Sequence, residues 1–167
     1  VVGINGLVLY GGFIGATLTA AFYMYKYRLS IPKYMDIMAP SLGIGIFFTR
    51  IGCFLNGCCY GEPTESMFGM MFPPDSAAGH HYHGLHIHPS QLYQSLMGLA
   101  IFGTLLYLER HKKFDGFLAL LFFMLYAVAR FIADFFRYYE ADLTFFGLSH
   151  NQLLSIVIFL VAGGLLI

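Results

Sequence analysis

The chain has 167 residues, 58% of them hydrophobic and 11% charged, with nine basic and nine acidic side chains that cancel to a formal net charge of zero. The charged share is about half that of an ordinary soluble domain. A single domain of this length could bury a core, but water could not solvate the surface left over. A soluble enzyme is excluded, and nothing in the charge balance asks for a nucleic-acid partner.

Apolar runs occupy residues 1–25, 37–55, 92–108, 117–136 and 153–167. The first four approach or reach the ~20 residues that cross a hydrocarbon core as a helix. These runs predict an all-α, polytopic transmembrane helix bundle. Its five transmembrane helices fall at about 1–25, 37–57, 91–108, 115–137 and 150–167, within a single domain over 1–167. No Met opens the sequence and no cleavable signal precedes the first run, so the chain reads as an excerpt of a longer membrane protein.

Basic residues set the expected orientation. Lys26, Arg28 and Lys33 separate the first two runs, and Arg110, Lys112 and Lys113 separate the third and fourth, whereas Cys58 to Ser90 contains neither Lys nor Arg. The positive-inside rule puts both basic loops in the cytoplasm and turns a His-rich loop, about 58–90, outward. Snorkelling anchors account for these basic residues without a surface-binding role.

In the first helix, Gly11, Gly12, Gly15 and Ala16 form overlapping small-xxx-small spacings that allow a second helix to approach closely. The second helix is expected to start with Asp36 as N-cap and Pro40 in its first turn. Gly52, Gly57 and Gly61 then predict a break at membrane depth. Such irregular backbone is tolerated only where protein or a wet cavity surrounds it, which places a cavity near residues 50–61.

Arg50 and Arg130 sit inside apolar runs, where a central charge costs about 2.5–3.5 kcal/mol on insertion scales. Tyr126, Arg130, Asp134 and Arg137, spaced 4, 4 and 3, project onto one stripe of an otherwise apolar helix. Two readings stand. Arg130 and Asp134 pair and hold the bundle together, or Arg50 and Arg130 converge on one anion. A guanidinium fork suits phosphate, and a phosphate buried in a membrane is most simply a phospholipid headgroup.

Cys53, Cys58 and Cys59 lack the C-x-x-C spacing and are odd in number. Small packing residues, one disulfide, and metal or redox work all remain open for them. Five His occur between His80 and His88. A solvated loop is the plain reading, and a zinc site of His86 and His88 with Cys58 or Cys59 is the sharper one. The 12 Tyr and 18 Phe serve bundle packing and the interface belts.

Three ordered stretches resemble the prolipoprotein diacylglyceryl transferase family. Arg50-Ile-Gly-Cys-Phe-Leu-Asn-Gly-Cys-Cys-Tyr-Gly61 is similar to its signature at Arg50, Gly52, Phe54, Asn56 and Gly61. His88-Pro-Ser-Gln-Leu-Tyr93 resembles the opening of the next helix. Tyr126-xxx-Arg130 with Asp134-Phe-Phe-Arg137 resembles a later one, and Asp36-Ile-Met-Ala-Pro40 also fits.

The resemblance implies a bundle of about seven helices, of which this chain holds the last five. It also implies transfer of diacylglycerol from phosphatidylglycerol to a lipobox cysteine thiol at the bacterial inner membrane. By this resemblance Arg50, Tyr126 and Arg130 hold the lipid phosphate and Tyr10 stands where the family has a His base. Gly11, Gly12, Asn56, Gly61, Gln91 and Arg137 contact substrate, with Ser90 capping its helix. No cofactor or metal is implied. The partners are a phosphatidylglycerol-like phospholipid and a prolipoprotein signal peptide, or other subunits of a membrane complex.

The chain departs from the family pattern at Tyr10, at Cys53 in place of an Asn, and at Cys58 in place of an acid. A phenol is a poor base near neutrality unless its pKa is depressed. The pattern suits a divergent transferase, or a non-catalytic relative that keeps a lipid. A transporter would show repeat symmetry, and none is visible.

Overall fold

The computed structural model describes residues 4–137, 144–145 and 148–166; the side chains of residues 4–10, 13 and 144–145 fall outside that description. The protein is mainly helical: α1 (Ile4–Lys26), α2 (Ile31–Leu55), α3 (Ala77–Tyr82), α4 (Ser90–Glu109), α5 (Phe117–Asp134) and α6 (His150–Leu166). Two short strands, β1 (Thr144–Phe145) and β2 (Leu148–Ser149), pair antiparallel before α6, with Thr144 opposite Ser149 and Phe145 opposite Leu148.

Among the described residues, α2, α4 and α5, of 25, 20 and 18 residues, are long and apolar enough to cross a membrane. At 1.5 Å per residue the shortest spans about 27 Å. α6 is apolar but has 17 residues. The protein is therefore a multi-pass membrane protein built on at least these three helices.

α2 starts earlier than the sequence suggested. Ser30 is extended, Pro32 stands in the first turn, and Pro40 lies inside the helix instead of opening it. A proline fits at a helix start because its missing N–H would have no partner there. Asp36, expected to cap α2, caps a different helix. Its carboxylate is 2% exposed and accepts from Gly116 N (2.9 Å) and Ala119 N (3.0 Å) at the start of α5. Two orphan N–H groups and the positive end of the α5 dipole meet one negative charge, with Lys112 Nζ 4.0 Å away. Asp36→Ala should lower bundle stability by about 3 kcal/mol, the value of two hydrogen bonds to a charged group after partial solvation. Unfolding of the detergent-solubilised protein measures this loss, and Asp36→Asn should recover about half of it.

The core lies between α2, α4 and α5, in a cluster of Ala39, Ile101, Leu105, Leu118, Leu121 and Phe122. α2 and α4 cross where two glycines meet. A Cβ on Gly43 would lie 3.0 Å from Phe102 N, and one on Gly98 would lie 3.0 Å from Phe47 N and 3.1 Å from Gly43 O. Small residues let helix backbones approach closely where lipid supplies no hydrophobic drive. Ser95 Oγ donates to Phe47 O (3.1 Å) at the same crossing. No such neighbour meets Gly11, Gly12 or Gly15 of α1, whose Cβ positions have no atom within 4 Å. The predicted small-residue contact of that helix is therefore not made by the described residues.

The segment between α2 and α4 carries more order than a loop. Gly61 N donates to His88 O, His88 N to Glu62 O, Thr64 N to His86 O, and Met70 and Ile87 exchange both backbone bonds. Ile87 is 1% exposed at the centre of this patch. Ser76 Oγ accepts from Gly79 N and caps α3.

Candidate functional site: a cationic cavity between three helices

A cavity of about 290 Å³ opens between α2, α4 and α5; its polar wall is Ser41, Thr49, Arg50, Gln94, Tyr126 and Arg130. Arg50, Tyr126 and Arg130, predicted to converge, do so. Tyr126 stacks on Phe122 with centroids 5.9 Å apart and rings 11° from parallel, which fixes its phenol on the α5 wall. The rest of the lining is aliphatic, so charge in this space interacts through little intervening water.

Arg130 Nη2 lies 3.6 Å from an Asp134 carboxylate oxygen, one turn on along α5, so the pairing reading of these two residues also holds. Asp134 in turn accepts a short hydrogen bond from Ser149 Oγ. Ser149 and Gln152 form a reciprocal capping box on α6: Ser149 Oγ accepts from Gln152 N (3.1 Å) and Gln152 Oε1 accepts from Ser149 N (2.9 Å). Arg50 has no ion pair among the described residues. Among the described residues, two guanidiniums line this wall and one carboxylate stands behind it.

The other predicted residues lie away from this cavity. Gln91, expected to reach it, is fully buried and donates its amide to Cys58 O (2.8 Å). Ser90 does not cap α4; it donates to Cys59 O (3.0 Å), and Pro89 takes the cap position. Asn56 caps the exposed end of α2. Gly61 is enclosed by the backbones of His88 and Phe136 and bridges Arg137. Arg137 therefore leaves the predicted stripe, because α5 ends at Asp134 and the chain turns to pair with residue 61. Tyr10 lies on α1, and its side chain is outside the described residues. Of the loop histidines, His88 bonds Tyr93 Oη (3.2 Å) and packs on Phe136, while His80, His81, His83 and His86 are exposed.

Ser41, Thr49 and Gln94 are the polar lining residues that sequence reasoning missed, and Gln94 is the most telling. Gln94 lies on α4. It is 6% exposed, lines the cavity, and its Nε2 has no hydrogen-bond partner among the described residues. The signal was its spacing of three from Gln91 in an apolar run, which puts both on one face. A buried amide donor left without a partner costs about 1–3 kcal/mol. Gln94→Leu should therefore stabilise the empty bundle by about 1 kcal/mol yet weaken an oxyanion ligand about tenfold. Thermal unfolding and lipid binding by the same variant should move in opposite directions.

Three apolar helices long enough to cross a membrane surround a cavity lined by two arginines, in a multi-pass membrane protein. The family model described as prolipoprotein diacylglyceryl transferase matches residues 2–167, and the chain belongs to that family. Among curated relatives, the phosphatidylglycerol–prolipoprotein diacylglyceryl transferase of Campylobacter curvus is 38% identical over 168 residues, 99% of this chain and 58% of that protein. The Clostridium tetani protein of the same name is 36% identical over 133 residues, 80% of this chain and 52% of its own length. The Rickettsia africae protein is 35% identical over 168 residues, 97% and 62% respectively. The chain thus spans between about half and three fifths of these relatives.

Proposed function

We propose that this protein transfers the diacylglyceryl group of phosphatidylglycerol to a lipobox cysteine thiol, in the bacterial inner membrane. The observation that carries the reading is the meeting of Arg50, Arg130 and Tyr126 on one cavity wall, two guanidinium forks and a phenol of the kind that a phosphodiester monoanion takes as donors. In the reaction the thiolate sulfur bonds the glyceryl carbon, the carbon–oxygen bond to phosphate breaks, and that electron pair stays on glycerol phosphate. The phosphate passes from monoanion to dianion, so the arginines meet more charge at the transition state than before it. Differential stabilisation of that kind accelerates the step.

In this reading Arg50, Arg130 and Tyr126 hold the phosphate, and Gln94 donates to one of its oxygens. Tyr10, ionised to the phenolate, takes the thiol proton from the α1 side and becomes the neutral phenol. Gly11 and Gly12 admit the lipid, while Asn56, Gly61, Gln91 and Arg137 shape the outward mouth. α1 and α6 complete five membrane spans, with the His-rich segment outside and the signal peptide of the prolipoprotein arriving there. The full-length protein, reconstituted with labelled phosphatidylglycerol and a lipobox peptide, tests the reading. It should yield thioether-linked diacylglyceryl peptide and glycerol phosphate in equal amounts. Lipid retained without product would instead leave a non-catalytic lipid-binding subunit.

A further inference from the structure

Three thiols that the cavity does not use meet at the outward end of α2. The Sγ atoms of Cys53, Cys58 and Cys59 all lie within 4.8 Å of one another, each half-buried. The backbone brings them together. α2 ends in a Schellman motif, in which Gly57 N donates to Phe54 O (3.0 Å) and Cys58 N to Cys53 O (3.1 Å). Gly57 takes φ +64°, where a Cβ would run into Ser76. The chain thus folds back and lays Cys58 over Cys53. Cys59 follows at φ +59°, a conformation that few non-glycine residues adopt. Gln91 and Ser90 hold the carbonyls of Cys58 and Cys59 against the start of α4.

We propose that Cys53, Cys58 and Cys59 form a trithiolate zinc site whose fourth position is open to an exogenous ligand such as water or a thiol. Thiolates on one tetrahedral zinc stand about 3.8 Å apart, from a Zn–S bond of ~2.3 Å. Sulfurs within 4.8 Å of one another stand within about 1 Å of that spacing. Charge supports zinc over a monovalent ion. Three thiolates and Zn²⁺ sum to −1. Copper(I) would leave −2. Among the described residues no histidine or carboxylate joins the cluster, so these three ligands leave a position open, as at zinc centres that exchange ligands. A Cys58–Cys59 disulfide does not fit, because adjacent Cα atoms are ~3.8 Å apart and disulfides span about 4.4–6.8 Å.

The inference stands apart from the transferase reading, since metal content is measured without turnover. The full-length protein, purified anaerobically in detergent without chelator, should carry about one zinc per chain. Cobalt substitution should give the tetrahedral bands and sulfur-to-metal charge transfer of a thiolate site, and a small added thiol should shift them. Cys53→Ser, Cys58→Ser and Cys59→Ser should each lower zinc at least tenfold. Should these variants fail to fold, the cobalt spectrum and metal content of the unaltered protein still decide. Less than a tenth of a zinc per chain with three titratable thiols would overturn the site, as would copper(I) in its place or a disulfide in the unreduced protein. Cobalt bands indifferent to added thiol would overturn the open position.

Discussion

Arg130→Lys and Arg50→Lys are each expected to lower kcat for diacylglyceryl transfer by about a hundredfold or more, the loss seen when one preorganised oxyanion donor is removed. Both retain a positive charge, so the loss isolates the forked, bidentate contact that an ammonium cannot reproduce. KM should change less than kcat, because the contact strengthens as the leaving phosphate gains charge. Alanine at position 130 is a poorer test. It breaks the buried ion pair with Asp134, and removing one side of such a pair costs about 3–5 kcal/mol, so reduced expression would blur the kinetics. Arg50, with no ion pair among the described residues, tolerates Ala without that penalty. Steady-state transfer rates of the reconstituted full-length variants are the measurement. Both lysine variants working within threefold of the parent would sink the phosphate-pocket reading.

Gly98→Leu is expected to disrupt the bundle more than any other single change near the cavity. The first added carbon would already lie 2.9 Å from Ile46 Cγ2 and 3.0 Å from Phe47 N. A side-chain tip can rotate away, but a backbone nitrogen cannot, so α2 and α4 must separate. Separation breaks the Ser95–Phe47 hydrogen bond and opens the cavity wall that Gly98 and Ile46 share. Overpacking of this kind costs about 1–3 kcal/mol for extra methylenes in a close-packed core, and Leu adds several at a backbone contact. Gly98→Ala should fall at the low end of that range and Gly98→Leu at or beyond its top. Thermal unfolding in detergent orders the two. Gly103→Leu on the same helix, where nothing lies within 4 Å, should leave the transition unchanged.

The sequence announced the spanning helices because apolar runs of sufficient length have few other fates. It also announced Arg50, Tyr126 and Arg130, because charges in such runs must face one another or a cavity. What it could not announce depends on partners far along the chain. Asp36 before an apolar run looks like an N-cap, but the N–H groups it serves belong to residues 116 and 119. The spacing of Arg137 continues a helical stripe, yet the strand-like bridge to Gly61 ends the helix first. Gln91 sat in a recognisable motif and drew the substrate role, while Gln94, one turn further in, lines the cavity. The cysteines lacked a familiar spacing because a helix-ending turn, not a sequence repeat, brings their sulfurs together.

The hydroxyl of Ser149 serves two masters, the N-terminus of α6 and the carboxylate of Asp134, and that carboxylate also holds Arg130. An anion bound at Arg130 therefore draws on the same guanidinium that steadies the entry to the last helix. Anion occupancy of the cavity and seating of α6 would then be linked equilibria. Whatever factor α6 exerts on anion affinity, the anion must return to α6.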